Sequence, residues 1–270
     1  MNLKKPAISA IIILVSLVTI IGLSGLNFII TDTSKIEPRQ NPGIQSSGIK
    51  SMDKIILTTE DDVKIAADLY SVNKPRFWLV LIHMMPETKD SYKEFAKRFQ
   101  NLDFESIAID LRGHGQSDGG SDSYRNFSNE EHQKSILDLK ATVDYLIKNR
   151  GATKDKIVFI GASIGANLSL QYISDNLEFK TAILLSTGLD YHGIKTESLV
   201  KNLKLGQKIF FISSKDDKNN AEENQTLYDL IPDGLEKKIK IYENAGHGTD
   251  ILKNESDLFN LIIEFIKQYD

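Results

Sequence analysis

Between residues 54 and 58, and again between 63 and 70, apolar and polar side chains alternate at period two, with Glu60-Asp61-Asp62 separating the runs. That pattern predicts an opening antiparallel hairpin. Beyond it the alternation gives way to short runs dominated by apolar residues at 77–82, 156–160, 181–185 and 208–213, with a further strand at 105–110 and a last strand-like run at 238–243. Apolar runs without alternation are what strands covered on both faces require. Between the runs the period lengthens. Tyr92, Phe95, Phe99 and Leu102 keep helical spacing, as do Ile136, Leu139, Val143 and Leu146, and Leu258, Leu261, Ile262, Phe265 and Ile266. Ser91 with Glu94, and Ser128 with Glu131, have the spacing of a capping box and are expected to open two of these helices. Strands alternating with helices predict an α/β fold: a mostly parallel, eight-stranded sheet with right-handed crossovers and helices on both faces. In such a sheet, sites form where loops leave the carboxyl ends of the strands.

Residues 1–30 have a different pattern. Lys4 and Lys5 precede an uncharged stretch from Pro6 to Thr31, and Ile8 to Ile21 is almost entirely Ile, Leu and Val. About 20 apolar residues at ~1.5 Å each cross a ~30 Å hydrocarbon core, so this segment predicts a membrane anchor. The two lysines put its short end in the cytoplasm and the following domain outside it. A cleavable signal peptide, cut near Ser24 or Gly25, is the alternative, and would leave a secreted domain. Residues 31–51, with Pro38, Pro42, Gly43, Ser46, Ser47 and Gly48, read as a flexible linker, and 52–270 as the catalytic domain.

The candidate chemistry lies in that domain. Gly161-Ala162-Ser163-Ile164-Gly165 follows an apolar strand and precedes a helical pattern, which is the context a nucleophile elbow requires. The turn is so tight that positions two before and two after the serine must be nearly free of side chain. A serine needs a base to take its proton. Of the five histidines, His247 sits between Gly246 and Gly248, just after the last strand. The third member should be a carboxylate at the end of a strand, able to hold the other imidazole N–H. Asp216, the first acid after the 208–213 strand, is the expected residue; Asp217 beside it and Asp190 are the alternatives.

These segments together resemble the α/β-hydrolase superfamily over roughly residues 52–268, in a serine esterase- or lipase-like form with little or no lid. Leu79 to Met84 resembles the strand and loop that carry an oxyanion donor. Asp110-Leu-Arg-Gly-His-Gly-Gln-Ser117 resembles the family segment after the fourth strand. Gly161 to Gly165 resembles the elbow, Ser213 to Asp217 the acid loop and Gly246 to Gly248 the histidine loop. The resemblance implies a Ser163, Asp216, His247 triad and an oxyanion hole formed by the backbone N–H groups of Ile164 and Met84. Met85 is the fallback donor, and Pro86 has no N–H to offer. Where many relatives have His-Gly after the third strand, this chain has His83-Met84-Met85-Pro86, and the methionines are also suited to packing over the site. His83 and His114 are expected to order their loops. His132 is expected on the polar side of a helix, and His192 at the surface or the pocket mouth. Only 22 residues, 186–207, separate two strands where many relatives insert a lid. They allow one short helix near 197–203 and an open, shallow acyl pocket.

Composition narrows the classes. With 270 residues and 41% hydrophobic content the chain can bury a large core. A net charge of −4 gives no reason to expect nucleic acid as a partner. The absence of cysteine removes disulfides and a thiol nucleophile. No metal-ligand spacing, P-loop or dinucleotide fingerprint is present, so no cofactor or metal is expected. The expected activity is that of a serine hydrolase cleaving small or short-chain carboxylic esters through an acyl-enzyme. The same triad used as a peptidase, thioesterase or acyltransferase, and a non-catalytic hydrolase-like module at the membrane, are the alternatives. The expected partners are a small-molecule ester and, through residues 1–30, a membrane.

Overall fold

The computed structural model describes residues 51–268. The predicted anchor and nearly all of the predicted linker lie outside these residues. Among the described residues, no helix is long and apolar enough to cross a membrane.

The hairpin is present as β1 (Ser51–Thr58) and β2 (Lys64–Ser71), paired antiparallel. The chain then forms β3 (Phe77–Ile82), α1 (Lys93–Gln100), β4 (Phe104–Ile109), α2 (Asn129–Gln133), α3 (Ile136–Arg150), β5 (Ile157–Ala162) and α4 (Ile164–Asp175). β6 (Thr181–Leu185) leads into an excursion made of a two-stranded ribbon, β7 (Asp190–Tyr191) with β8 (Ile194–Lys195), and α5 (Thr196–Asn202). β9 (Lys208–Ser214), α6 (Asn220–Leu230), β10 (Glu236–Tyr242), α7 (Thr249–Asn254) and α8 (Leu258–Lys267) complete it.

Eight strands form one sheet in the order β1-β2-β4-β3-β5-β6-β9-β10. β4, β3, β5, β6, β9 and β10 pair parallel, and the β1–β2 hairpin joins them antiparallel through β2 and β4. β3, β4, β5, β6 and β9 are buried throughout; β3 is apolar from end to end, whereas β4 also buries Ser106 and Glu105, the latter held by Arg150. Alternate side chains of each strand feed opposite faces. Val80 and Ile82 pack with Leu139, Leu168, Val200 and Leu227 from α3, α4, α5 and α6. Leu79 and Leu81 pack with Phe95, Phe99, Leu258 and Phe265 from α1 and α8. From β3 the chain steps outward to β4 and then returns past β3 to β5. The strand order therefore reverses between β3 and β5, the kind of switch point beside which such sheets place their sites.

Local expectations fared unevenly. Ser128 and Glu131 form the predicted capping box on α2. The helix does not continue into α3, however, because Lys134 and Ser135 interrupt it. Ser91 is not a cap. A turn of 3₁₀ helix at Lys89–Tyr92 comes first, and there Thr88 Oγ1 accepts from Asp90 N–H while Ser91 Oγ donates to Thr88 O at 2.8 Å. His132, expected on a polar face, is buried, with its ring 3.8 Å from that of His192 and 5.4 Å from that of Phe127. His192 is half-buried by the same contact rather than free at the surface.

His83 and His132 make the fold sensitive to acid. Burial, then the charge of His114, pushes His83 down to about 4, and burial, then His192, does the same to His132. A free imidazole titrates near ~6.5. As pH falls from there toward 4, the unfolded chain takes up protons that the folded chain refuses, so stability falls with pH. Urea midpoints should therefore drop between pH 6.5 and 4, and His132→Phe, which keeps the ring contacts, should drop less than wild type. Identical slopes for the two proteins would count against this reading.

Candidate active site

Ser163 sits between β5 and α4 with φ 54° and ψ −118°, a backbone region that non-glycine residues avoid. The elbow's glycines are required by contact. A Cβ on Gly161 would lie 2.1 Å from the Gly165 carbonyl oxygen, and one on Gly165 would lie 2.4 Å from that of Ile82. The helix after the nucleophile is thus pressed against the end of β3. Gly165→Ala must push one backbone away from another. It should cost about 3 kcal/mol or more, read as a lower urea midpoint, and an unchanged midpoint would remove the contact argument.

The acid loop differs from expectation. β9 runs one residue further than predicted, to Ser214, and a turn closed by Asp217 N–H to Ser214 O at 3.3 Å follows it. Within that turn Asp216 accepts from the Ser214 hydroxyl and from the N–H groups of Ala245 and Gly246, at 3.2 Å each. The Ser214 bond, with the backbone donors, lowers its pKa. Asp217 lies across the turn, and its Oδ2 is 2.5 Å from His247 Nδ1. The carboxylate that faces the imidazole is therefore Asp217, whereas the sequence points to Asp216. Asp216 came first after the strand but is taken up by the backbone of the histidine loop, and only the next residue faces the imidazole. Asp190, the other alternative, accepts from Gly193 N–H in the ribbon turn.

The histidine loop is fixed from several sides. Gly248 N–H donates to Ser186 Oγ at 2.8 Å, and Asn254 Nδ2 to Ala245 O at 3.0 Å. A Cβ on Gly248 would lie 2.5 Å from the Met84 sulfur, so the methionine packs directly beneath this loop. Met84 is buried, and its core neighbours include Ala162 of the elbow. His83 is fully buried, bonded to Met84 O at 2.9 Å through Nδ1 and accepting from Leu111 N–H at 3.0 Å through Nε2. It is a scaffold residue of the β3 loop, as expected. His114 likewise holds Arg112 O at 3.0 Å, and the Arg112 guanidinium is fixed between Asp61 and Asp138.

Ser163, Asp217 and His247 line one cleft of about 540 Å³ with Tyr191, Lys218, Asn219, Asn220 and Glu223. Among the described residues no hydrogen bond joins the Ser163 hydroxyl to the imidazole, a contact that catalytic pairs commonly tighten only as substrate binds. Tyr191 is the side chain that sequence reasoning missed. His192 in the same turn is the more conspicuous residue in the sequence, but the ribbon points Tyr191 into the cleft and His192, with φ 52°, toward α2. The excursion is small, and its helix, Thr196–Asn202, lies one residue from the predicted position.

The sequence model of the serine aminopeptidase S33 family matches residues 73–210, which include the β3 loop and the elbow but stop before Asp217 and His247. No curated protein matches the sequence. Among solved structures, the chain is similar to the esterase Pf2001 of Pyrococcus furiosus, at 19% identity and a TM-score of 0.68, covering 82% of this chain and 91% of that one. It is also similar to the esterase RhEst1 from a Rhodococcus species, at 14% identity and a TM-score of 0.65, covering 81% and 100%. A dienelactone hydrolase from Anabaena variabilis gives 14% identity, a TM-score of 0.63, and coverage of 82% and 96%. At these identities the likeness establishes the fold. Matched over residues 73–210, with the elbow and sheet order described above, the chain belongs to the serine aminopeptidase S33 family of α/β-hydrolases.

Proposed function

We propose that the protein is a serine hydrolase that cleaves small or short-chain carboxylic esters through an acyl-enzyme. The observation that carries this reading is the 2.5 Å contact between Asp217 and His247 in a cleft that also holds the strained Ser163. Ser163 Oγ attacks the carbonyl carbon while His247 takes its proton through Nε2. Asp217 holds the opposite ring nitrogen, which sets the tautomer and steadies the imidazolium. The N–H groups of Ile164 and Met84 receive the negative oxygen, and such donors are worth about 3–4 kcal/mol each at the transition state. His247 then protonates the departing alcohol. A water attacks the acyl-enzyme in the reverse sense, releasing the acid and restoring the serine. Ile164 suits its part because it opens α4, where the first N–H groups have no partner within the helix.

The side chains lining the cleft all carry polar groups, and the excursion above it is one ribbon and one short helix. Both features favour short acyl chains over long lipids. A panel of p-nitrophenyl esters from acetyl to dodecanoyl, run beside short peptide amides, tests this choice. kcat/KM should be highest for the short esters, whereas equal values across the series, or faster cleavage of the amides, would reject it. Residues 1–30 are proposed as a membrane anchor that places the catalytic domain outside the cytoplasm. The domain of intact cells should then be open to added protease, and protection from it would reject this topology.

A further inference from the structure

Tyr191 occupies a built position. Its ring lies flat against Gly188, where any Cβ would come within 2.5 Å of the ring. Gly188 is itself clamped. Its N–H donates to Asn167 Oδ1 at 3.1 Å, and its carbonyl accepts from Asn167 Nδ2 at 3.1 Å and Thr196 Oγ1 at 2.8 Å. Asn167 is fully buried, lies one turn beyond Ser163 on α4, and also donates to Ile194 O at 3.0 Å. One side chain of the nucleophile helix thus fixes both ends of the ribbon that carries Tyr191.

The Tyr191 side chain lines the cleft together with Ser163 and Asn220. It donates to Ser186 O at 3.5 Å, long for an O–H···O bond and so readily exchanged. Burial pushes its pKa up to about 12, so it remains a donor across the working range of a hydrolase. Its place in the sheet order gives it a side. Met84 follows β3, on one flank of the nucleophile strand β5. Tyr191, Asp217 and His247 follow β6, β9 and β10, on the other flank. Of the two oxyanion donors, Met84 therefore comes from the β3 side, while Ile164 opens α4 directly behind Ser163. The imidazole, which must protonate the departing oxygen, lines the same cleft as the phenol and Ser163.

We infer that Tyr191 is a further catalytic residue, whose phenol donates a hydrogen bond to the leaving-group oxygen of the ester, and that the substrates are esters of ordinary, poorly departing alcohols. This inference rests on the proposed serine-hydrolase mechanism. As the bond from acyl carbon to leaving oxygen breaks, its electron pair goes to that oxygen. The proton delivered to it comes from His247, while Tyr191 keeps its own and steadies the charge until transfer is complete. The benefit scales with the charge on that oxygen. It is large for an alkoxide and small for p-nitrophenoxide, which disperses its charge without help.

The test compares ethyl acetate and p-nitrophenyl acetate on the full-length chain, as wild type, Tyr191→Phe and Ser163→Ala. Phenylalanine keeps the ring on Gly188 and removes only the hydroxyl. kcat/KM for ethyl acetate should fall about tenfold or more, the size of one transition-state hydrogen bond, with p-nitrophenyl acetate changed less than about twofold. An equal loss on both esters would make Tyr191 a structural residue, and no loss on either would make it irrelevant; each overturns the inference while the triad reading stands. Undiminished hydrolysis by Ser163→Ala would instead overturn the triad reading, and the inference with it.

Discussion

Ser163→Ala should reduce turnover of a short-chain ester by about 10⁶-fold, the loss seen when a triad nucleophile is removed. The variant should leave the fold intact. Alanine at 163 faces the same backbone strain as serine, at φ 54°, and the hydroxyl is not among the bonds that hold the elbow together. Those bonds run from backbone to backbone: Ser163 N–H to Leu185 O at 2.8 Å, and Ala166 N–H to Ser163 O at 2.8 Å. Urea unfolding should therefore superimpose on wild type while hydrolysis disappears, measured with p-nitrophenyl acetate under saturating conditions. A loss of only tenfold with an unchanged fold would mean that another group performs the attack.

The second large effect separates two neighbouring acids. Asp217→Asn should lower kcat about 10⁴-fold, because an amide beside Nδ1 neither fixes the productive tautomer nor stabilises the imidazolium. Asp216→Asn should be far milder. Its carboxylate accepts from the Ser214 hydroxyl and from Ala245 and Gly246 N–H, so it holds the histidine loop in place rather than the imidazole. An amide oxygen can keep part of that set. The expected pattern is a catalytic collapse at 217 and a modest loss at 216, the latter with a lower urea midpoint. The opposite ranking would restore Asp216 as the triad member.

That contrast also shows what the sequence could reveal. Ser163 was legible because the elbow's constraint is local. Gly161 and Gly165 are needed by backbone contacts within a few residues and with the end of β3, so the pattern and its flanking strand and helix carry the requirement themselves. His247 was legible for a similar reason, lying in a glycine-flanked loop after the last strand. The sheet was legible because most positions of strands covered on both faces are apolar, as Phe77–Ile82 is throughout. The acid was not, because the choice between 216 and 217 depends on one extra residue of β9 and on donors from residues 245 and 246, some thirty positions away. Tyr191 was hidden for the same kind of reason. Its orientation depends on Asn167 clamping Gly188, and His192 in the same turn was the more conspicuous side chain. His132 was misjudged because its burial comes from the ribbon and Phe127, which a helical period cannot report.

The central claim is that Ser163 becomes nucleophilic through His247 and Asp217, and the most direct measurement of it is the site of reaction with a fluorophosphonate. Peptide mapping of the labelled chain should find one adduct, on the peptide containing Ser163. Labelling should be abolished in Ser163→Ala, strongly slowed in Asp217→Asn and nearly normal in Asp216→Asn. A folded protein that takes up no label, or one labelled at another residue, would contradict the account.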